Sequence, residues 1–558
     1  MARVIPKKRS VVVYSFFVLC FLVITARIVN LQVFRSSFYR KLAQGQHYRL
    51  LKIQGRRGTI FDRKDRTLAA GLYCYSVFAD PSLISDLEAS AKIISQYTGL
   101  SQETLLSRLK KGKRFIWIKR KISLRERQEL AALNLEGIGF IREQKRFYPH
   151  NTVGAALLGL VDIDNKGLEG LEFFYHQYLS GKDGKVKILQ DSSLRKIIFS
   201  SGSAIPQAGA DLVLTVDAQI QYWVEEILEK TVKKFRAQDA SAVIMDASNG
   251  EILALANYPS FNANALNQED LKYLKNRVVV DMFEPGSVFK VVTLLAALNE
   301  KIFSPDEIIF CENGEFKIPG SILHDWHAYG KLTFEEVFMK SSNIGVAKIA
   351  SSLGAQTLYQ YIQRLEFGRP TGIDFPGEVS GWVKNQDQWS KTSGFIIPIG
   401  QEIGVNLLQL ARTFAVVANG GYLVKPHLVK KICSYGYCKD SDYSKKQVFS
   451  PEVTEEAKRI LIKVVQEGTG KSAGVSGRLI GGKTGTAQKY DPDIGRYSPN
   501  DYRATFVGFI ADLDHPLVIA VSVDEPRASH FGGVVAAPAF KEISEKTIAY
   551  LEGQNGIE

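Results

Sequence analysis

Histidine and cysteine are scarce, at 8 and 5 among 558 residues. A metal site needs a cluster of such ligands, and the nearest approaches to one are incomplete. His324 and His327 are spaced like a ligand pair but lack a third ligand, and Cys433 with Cys438 has only His427 nearby. No metal and no other cofactor is therefore expected. A phosphate-binding loop is missing too. Gly470-Lys471-Ser472 has Val465 where such a loop needs its first glycine, and no strand leads into it. The net charge of +13 comes without a basic, aromatic-interleaved module, so nucleic acid is not an expected partner. A membrane or wall surface is the better use of that charge. No small-x-small cleavage site follows the N-terminal apolar run, which argues against a removed leader.

What the chain does have is apolar material. Hydrophobic residues make up 45% and charged residues 23%, the balance of folded protein. The length allows about two to four domains. Val11 to Phe34 is apolar apart from Arg27 and a few small polar residues, and Arg3, Lys7, Lys8 and Arg9 precede it. As a helix this run would reach about 36 Å, enough for a hydrocarbon core of about 30 Å. It reads as a retained signal anchor over 11–34 behind a tail of 1–10. Arg35, Arg40 and Lys41 on the far side leave its orientation open.

The stretch that organises the rest is Glu284-Pro285-Gly286-Ser287-Val288-Phe289-Lys290, running into Val291-Val292-Thr293-Leu294-Leu295-Ala296-Ala297-Leu298. Turn residues followed by an unbroken apolar run predict a helix with Ser287 in its first turn. Residues three apart share a face, so Lys290 is expected beside Ser287. A lysine desolvated by its apolar neighbours loses basicity and can take the serine's proton. Ser-x-x-Lys alone is a weak signal, but Ser341-Ser342-Asn343 and Lys483-Thr484-Gly485-Thr486 follow it. Gly481 to Gln488 reads as an edge strand, in which Gly485 allows a close backbone approach. Asp211 to Asp217 reads as a strand, and Gln219 to Lys234 as an amphipathic helix. Ala242 to Asp246 and Ile252 to Ala256 read as strands joined by the tight turn Ala247-Ser248-Asn249-Gly250. Ala504 to Ile510 and Leu517 to Val523 repeat the paired-strand pattern, and Pro538 to Leu551 is the expected terminal helix. Strands at both ends with helices between them imply α+β: an antiparallel sheet covered by helices.

Between 35 and about 208 the texture is a mixture of strand and helix, with helices expected near 86–97 and 121–133. Cys433 and Cys438 flank a hairpin-like turn, Ser434 to Tyr437, which leaves a disulfide or two free thiols as readings.

With Ser-x-x-Lys, Ser-x-Asn and Lys-Thr-Gly in order, the chain resembles the penicillin-binding proteins, and more narrowly the monofunctional class B transpeptidases of the cell-division (FtsI) type. Arg57-Gly58-Thr59-Ile60-Phe61-Asp62-Arg63 before Leu68-Ala69 resembles that family's N-terminal signature. The likeness continues through Arg146-Phe147-Tyr148-Pro149, Gly167 to Glu172 and Gly181 to Gly184. The resemblance implies a non-catalytic α+β pedestal over 35–208 and a transpeptidase domain over 209–558, held outside the cytoplasmic membrane by the single-pass anchor. It implies that Ser287 forms an acyl-enzyme on the penultimate D-Ala of a peptidoglycan stem peptide, with Lys290 as base. Ser341 would relay a proton, and Asn343 would orient the substrate backbone. Lys483, Thr484 and Thr486 would bind the terminal carboxylate beside Gly485, and the backbone N–H groups of Ser287 and Thr486 would form the oxyanion hole. β-Lactams would acylate the same serine. The partners implied are a membrane glycosyltransferase and other division-machinery proteins.

Three rival readings stay open at this point: an elongation-type transpeptidase, a D,D-carboxypeptidase and a non-catalytic assembly scaffold. Glu402 and Asn406 resemble the water-activating pair of class A β-lactamases, but ordinary helix-start chemistry before Leu407 to Ala418 is the preferred reading.

Overall fold

The computed structural model describes residues 7–40, 48–111, 115–190, 196–198, 206–491 and 495–555. It falls into two compact units: Met1–Arg56 with Gly181–Ala208, and Arg57–Ser180 with Gly209–Glu558.

In the first unit, the helix Lys7–Val29 continues into a wider turn, Asn30–Phe34. Lys8–Phe34 spans 27 residues at a mean hydropathy of 2.4. Among the described residues it is the one helix long and apolar enough to cross a membrane. The same unit holds a three-stranded antiparallel sheet of Tyr48–Ile53, Gly184–Gln190 and Lys196–Ile198.

The second unit is built on a five-stranded antiparallel sheet assembled from distant segments. Its elements in chain order are α1 (Ala218–Phe235), β1 (Asp239–Asp246), β2 (Ile252–Tyr258), α2 (Lys290–Glu300), α3 (Asn343–Leu353), α4 (Leu407–Ala418), β3 (Ile480–Asp491), β4 (Arg496–Ile510), β5 (Leu517–Asp524) and α5 (Gly532–Asn555). The strand order is β2-β1-β5-β4-β3, which leaves β3 at an edge. Ile220, Val224 and Leu228 of α1 and Phe540 of α5 pack on Ala242, Ile244 and Phe506 on one face. The other face meets α4, and that helix is buried along its whole length. A sheet covered on both sides buries its strands at every position, mostly with apolar side chains. All eight residues of β1 and all eight of β5 are accordingly buried.

The terminal helix begins at Gly532, earlier than the expected Pro538, which lies inside it. Burial of Val535, Ala536, Ala537 and Phe540 against the sheet carries the helix past the proline. Asn406 caps α4 through the Gln409 amide in a reciprocal capping box, the helix-start role read from sequence. Glu402 lies before that helix in a left-handed turn, at φ 54°.

A second sheet runs through both segments of this unit. Ile60–Phe61 pairs in parallel with Asp211–Leu214, which pairs antiparallel with Val429–Ser434. Thr67–Ala79 pairs with Ile116–Ile122 and Ile138–Phe147. The signature stretches of the pedestal converge on one carboxylate beside this sheet. Arg57 Nε donates to Glu172 Oε2 at 2.7 Å, and Arg146 Nε donates to Glu172 Oε1 at 2.5 Å. Arg146 Nη1 donates to the Gly58 carbonyl at 2.6 Å, and Glu172 is fully buried. Asp62 and Asp217 share Arg66, and Asp217 caps α1. Cys433 and Cys438 lie opposite each other in a hairpin and are disulfide-bonded.

Candidate active site

Gly286–Phe289 is a tight 3-10 turn leading directly into α2. The helix is buried from Lys290 to Ala297, so it is apolar all round except for one amine at its start. The turn is pinned from behind, because Gly286 N–H donates to the Gly400 carbonyl at 3.1 Å. Gly400 has φ +84°, and a Cβ there would fall 2.1 Å from the Gly286 oxygen. Only glycine lets the two loops touch. Gly485 plays the same part on the other wall, where a Cβ would come within 2.8 Å of Val288 Cγ2 and 3.0 Å of the Pro285 oxygen. Edge strand β3 can therefore lie directly against the serine turn.

The Ser341 turn links Phe334–Met339 to α3. Ser341 itself is left-handed, with φ 58°, a conformation disfavoured for a residue with a Cβ. The two residues after it divide the work. Ser342 caps α3 by accepting from Gly345 N–H at 2.9 Å and donates to Asp325 Oδ2 at 2.5 Å. Asn343 turns the other way. Its Oδ1 accepts from Lys290 Nζ at 2.8 Å, and its Nδ2 donates to the His324 carbonyl at 3.0 Å.

Two amines meet behind the serine turn. Lys290 Nζ donates to the Ser341 carbonyl at 2.7 Å and to Ser341 Oγ at 3.3 Å. Lys483 Nζ donates to the same Oγ at 2.8 Å. Lys290 is 0% and Lys483 1% exposed. Burial pushes the Lys290 amine well below its ordinary value, and the neighbouring Lys483 charge adds to this, while Asp325 opposes it. Burial alone brings the Lys483 amine down to about 7. Lys483 is thus poised to exchange protons near neutral pH, and Lys290 has lost basicity beside it, with a hydroxyl between them. Among the described residues, the hydrogen bonds of Lys290 run to Ser341 and Asn343 and not to the Ser287 hydroxyl.

Ser287, Asn343 and Thr486 line one cleft of about 410 Å³, together with Glu284, Trp326 and Tyr502. Thr486 Oγ1 accepts from Gly532 N–H at 3.0 Å, whereas the Thr484 hydroxyl turns to Thr469 Oγ1 at 3.1 Å. Six of the eight residues singled out in the sequence thus gather at the cleft or its amine network. Gly485 supplies the close approach between the walls, and Thr484 faces Thr469.

Two groups at the site went unread in the sequence. Asp325 anchors the Ser342-Asn343 turn by accepting from the backbone N–H groups of Asn343 and Ile344. Trp326, which lines the cleft, meets Phe531 with ring centroids 5.2 Å apart. Asp325 and Trp326 lie between two histidines in a loop without periodicity, so no sequence signal marks them.

Residues 240–545 match the family described as the penicillin-binding protein transpeptidase domain, and residues 52–214 match the penicillin-binding protein dimerisation domain. The chain is 33% identical over 531 residues to the probable peptidoglycan D,D-transpeptidase PenA of Neisseria gonorrhoeae, covering 94% of this chain and 89% of that one. It is 30% identical over 527 residues to the peptidoglycan D,D-transpeptidase FtsI of Escherichia coli, covering 93% and 87%. A solved structure, penicillin-binding protein 3 of Mycobacterium tuberculosis complexed with aztreonam, superposes with a TM-score of 0.72 at 28% identity over 90% of this chain and 97% of the other. Motif order, sheet and coverage agree, and the chain belongs to the penicillin-binding protein transpeptidases of class B, in which a dimerisation domain precedes the transpeptidase domain.

Proposed function

We propose that this protein is a peptidoglycan D,D-transpeptidase that cross-links stem peptides through a Ser287 acyl-enzyme, in the wall synthesis of division. The observation that carries the reading is the meeting of two depressed lysine amines on the Ser341 hydroxyl, directly behind a cleft lined by Ser287, Asn343 and Thr486.

A neutral Lys290 takes the Ser287 proton as Oγ attacks the carbonyl of the penultimate D-Ala. The backbone N–H groups of Ser287 and Thr486 receive the oxyanion, where losing one donor typically costs about 10²- to 10³-fold in rate. Lys483 and Thr486 hold the terminal carboxylate, with Thr484 behind them, and Asn343 orients the peptide. Ser341, between the two amines, passes the proton to the departing D-Ala nitrogen as the peptide bond breaks. The amine of a second stem peptide then attacks the ester carbon. A new amide forms, the serine regains its proton and the bond to Ser287 breaks. β-Lactams present the same carbonyl and stop at the ester.

The chain is read as a single-pass membrane protein on its N-terminal apolar helix. In this reading 1–10 is cytoplasmic, 11–34 is the anchor, 35–208 is the pedestal and 209–558 is an extracytoplasmic transpeptidase domain. The partners are a membrane glycosyltransferase and other division-machinery proteins. The division role rests on the likeness to FtsI.

Fluorescent penicillin on the purified full-length protein tests the reading. The label is expected on the Ser287 peptide and is expected to vanish in Ser287→Ala. A wild-type protein that stays unlabelled would leave only the scaffold reading. Mass spectrometry of wall fragments then separates the outcomes: dimeric peptides support cross-linking, and trimmed monomers alone would make the enzyme a carboxypeptidase.

A further inference from the structure

A second, larger cavity adjoins the catalytic cleft. Its volume is about 820 Å³, and it shares Glu284, Ala487 and Gln488 with the cleft. Phe283, Trp382, Tyr490 and Tyr497 give it apolar walls. Its cations already have partners. Lys384 pairs with Glu402, Lys489 with Asp524 and Glu525, and Arg503 with Asp524. Glu284, on the boundary between the two spaces, differs. It accepts from the Glu402 N–H at 2.9 Å and from the Tyr497 hydroxyl at 3.1 Å, and among the described residues it meets no cation. Burial, with Glu402 adding to it, raises its carboxyl above the ordinary value. Arg503, only 7% exposed, lines the same cavity, and its buried Nε has no hydrogen-bond partner among the described residues. The cavity therefore presents an acid without a cation next to the cleft, while its cations are matched by carboxylates.

The direction of β3 states what would fill this space. If the terminal carboxylate lies at Lys483 and Thr486 and the attacked carbonyl at Ser287, an extended stem peptide continues along the edge strand toward Ala487 and Gln488. Each residue advances about 3.3 Å, which brings the residue before the penultimate D-Ala level with the mouth of the second cavity. In a stem peptide that residue is the diamino acid.

We propose that this cavity binds the side chain of the donor peptide's diamino acid, with Glu284 as counter-ion to its free amine. The inference deepens the proposed function and rests on it. A side chain ending in an amine meets an acid without a cation and apolar walls along its methylenes.

The test is a double-mutant cycle between substrate and protein. Donor pentapeptides with the free amine, with the amine acetylated, and with a methyl group in its place are compared on wild type and on Glu284→Gln. The readout is D-Ala release as kcat/KM. In wild type, removing the amine by either route is expected to lower kcat/KM about tenfold. In Glu284→Gln, which keeps an oxygen for the Glu402 and Tyr497 donors, the penalty is expected to fall below about twofold. An equal penalty in both proteins, or none in wild type, would overturn the assignment, and the wild-type comparison stands without any variant. If donor amines prove irrelevant and Glu284→Gln instead raises the acceptor concentration needed for cross-linking, the cavity belongs to the acceptor and the proposal fails. Penicillin labelling of wild type is read in parallel. A labelled protein with a flat cycle defeats only the cavity assignment, and an unlabelled one defeats the function it rests on.

Discussion

Two clusters of buried charged side chains in this molecule are held in opposite ways. At the pedestal node, Arg57 and Arg146 close on the carboxylate of Glu172, so each charge that leaves water gains a partner. At the candidate site, Lys290 and Lys483 are buried as deeply and share only hydroxyl, carbonyl and amide oxygens. The first arrangement pairs each charge with an opposite one and ties three chain segments together. The second makes ionisation costly, which depresses both amines and readies them to carry protons. Desolvation is common to both, and the presence or absence of a carboxylate decides whether it yields structure or chemistry.

Removing one group from each node contrasts them most sharply. Lys290→Ala should lower the rate of Ser287 acylation by about 10²- to 10⁴-fold, measured with a chromogenic or fluorescent β-lactam, while the protein stays folded. Glu172→Ala should do the reverse. Two buried guanidinium groups lose their partner, and about 3–5 kcal/mol of stability should disappear in urea unfolding, with labelling retained in whatever fraction remains folded. Equal stability of Glu172→Ala and wild type would show that the pedestal node is not structural.

A third change tests the trade between the two uses. Lys483→Met exchanges a strained cation for an apolar chain of similar length, so it should stabilise the fold by about 1–2 kcal/mol at neutral pH while impairing acylation. The pH dependence follows the same logic. The amine titrates near 7 in the folded protein against an ordinary 10.5, so between those values the unfolded chain binds more protons. Stability should rise with pH across that window and be flat below it, and Lys483→Met should reduce the slope. The smallest effect is expected at the rim. Trp326→Ala removes a cleft-lining ring and its contact with Phe531, an aromatic pair worth about 0.5–1.5 kcal/mol, and should speed acylation by bulky β-lactams by less than about tenfold.

The motifs made the residue types of the candidate site and the antiparallel sheet legible, because both leave local marks: turn residues before an apolar run at 285–298, alternating or continuous apolar strands, and glycine at 485. The amine pairing was not legible. Ser341 and Lys483 lie 142 residues apart in the chain yet share a hydrogen bond, and no local pattern states which hydroxyl two lysines will share. Asp325, the Trp326–Phe531 contact and the Arg57–Glu172–Arg146 node were hidden for the same reason. So was the outward turn of Thr484 toward Thr469, which depends on what packs behind β3.

By itself the sequence determined the anchor, the strands and helices, and the set of groups able to do acyl transfer, since each of these depends on neighbours within a turn or two. Tertiary structure alone decided which lysines lose their water, which carboxylates find cations and which, like Glu284, do not. Solvation of a buried charge is set by residues that arrive from elsewhere in the chain.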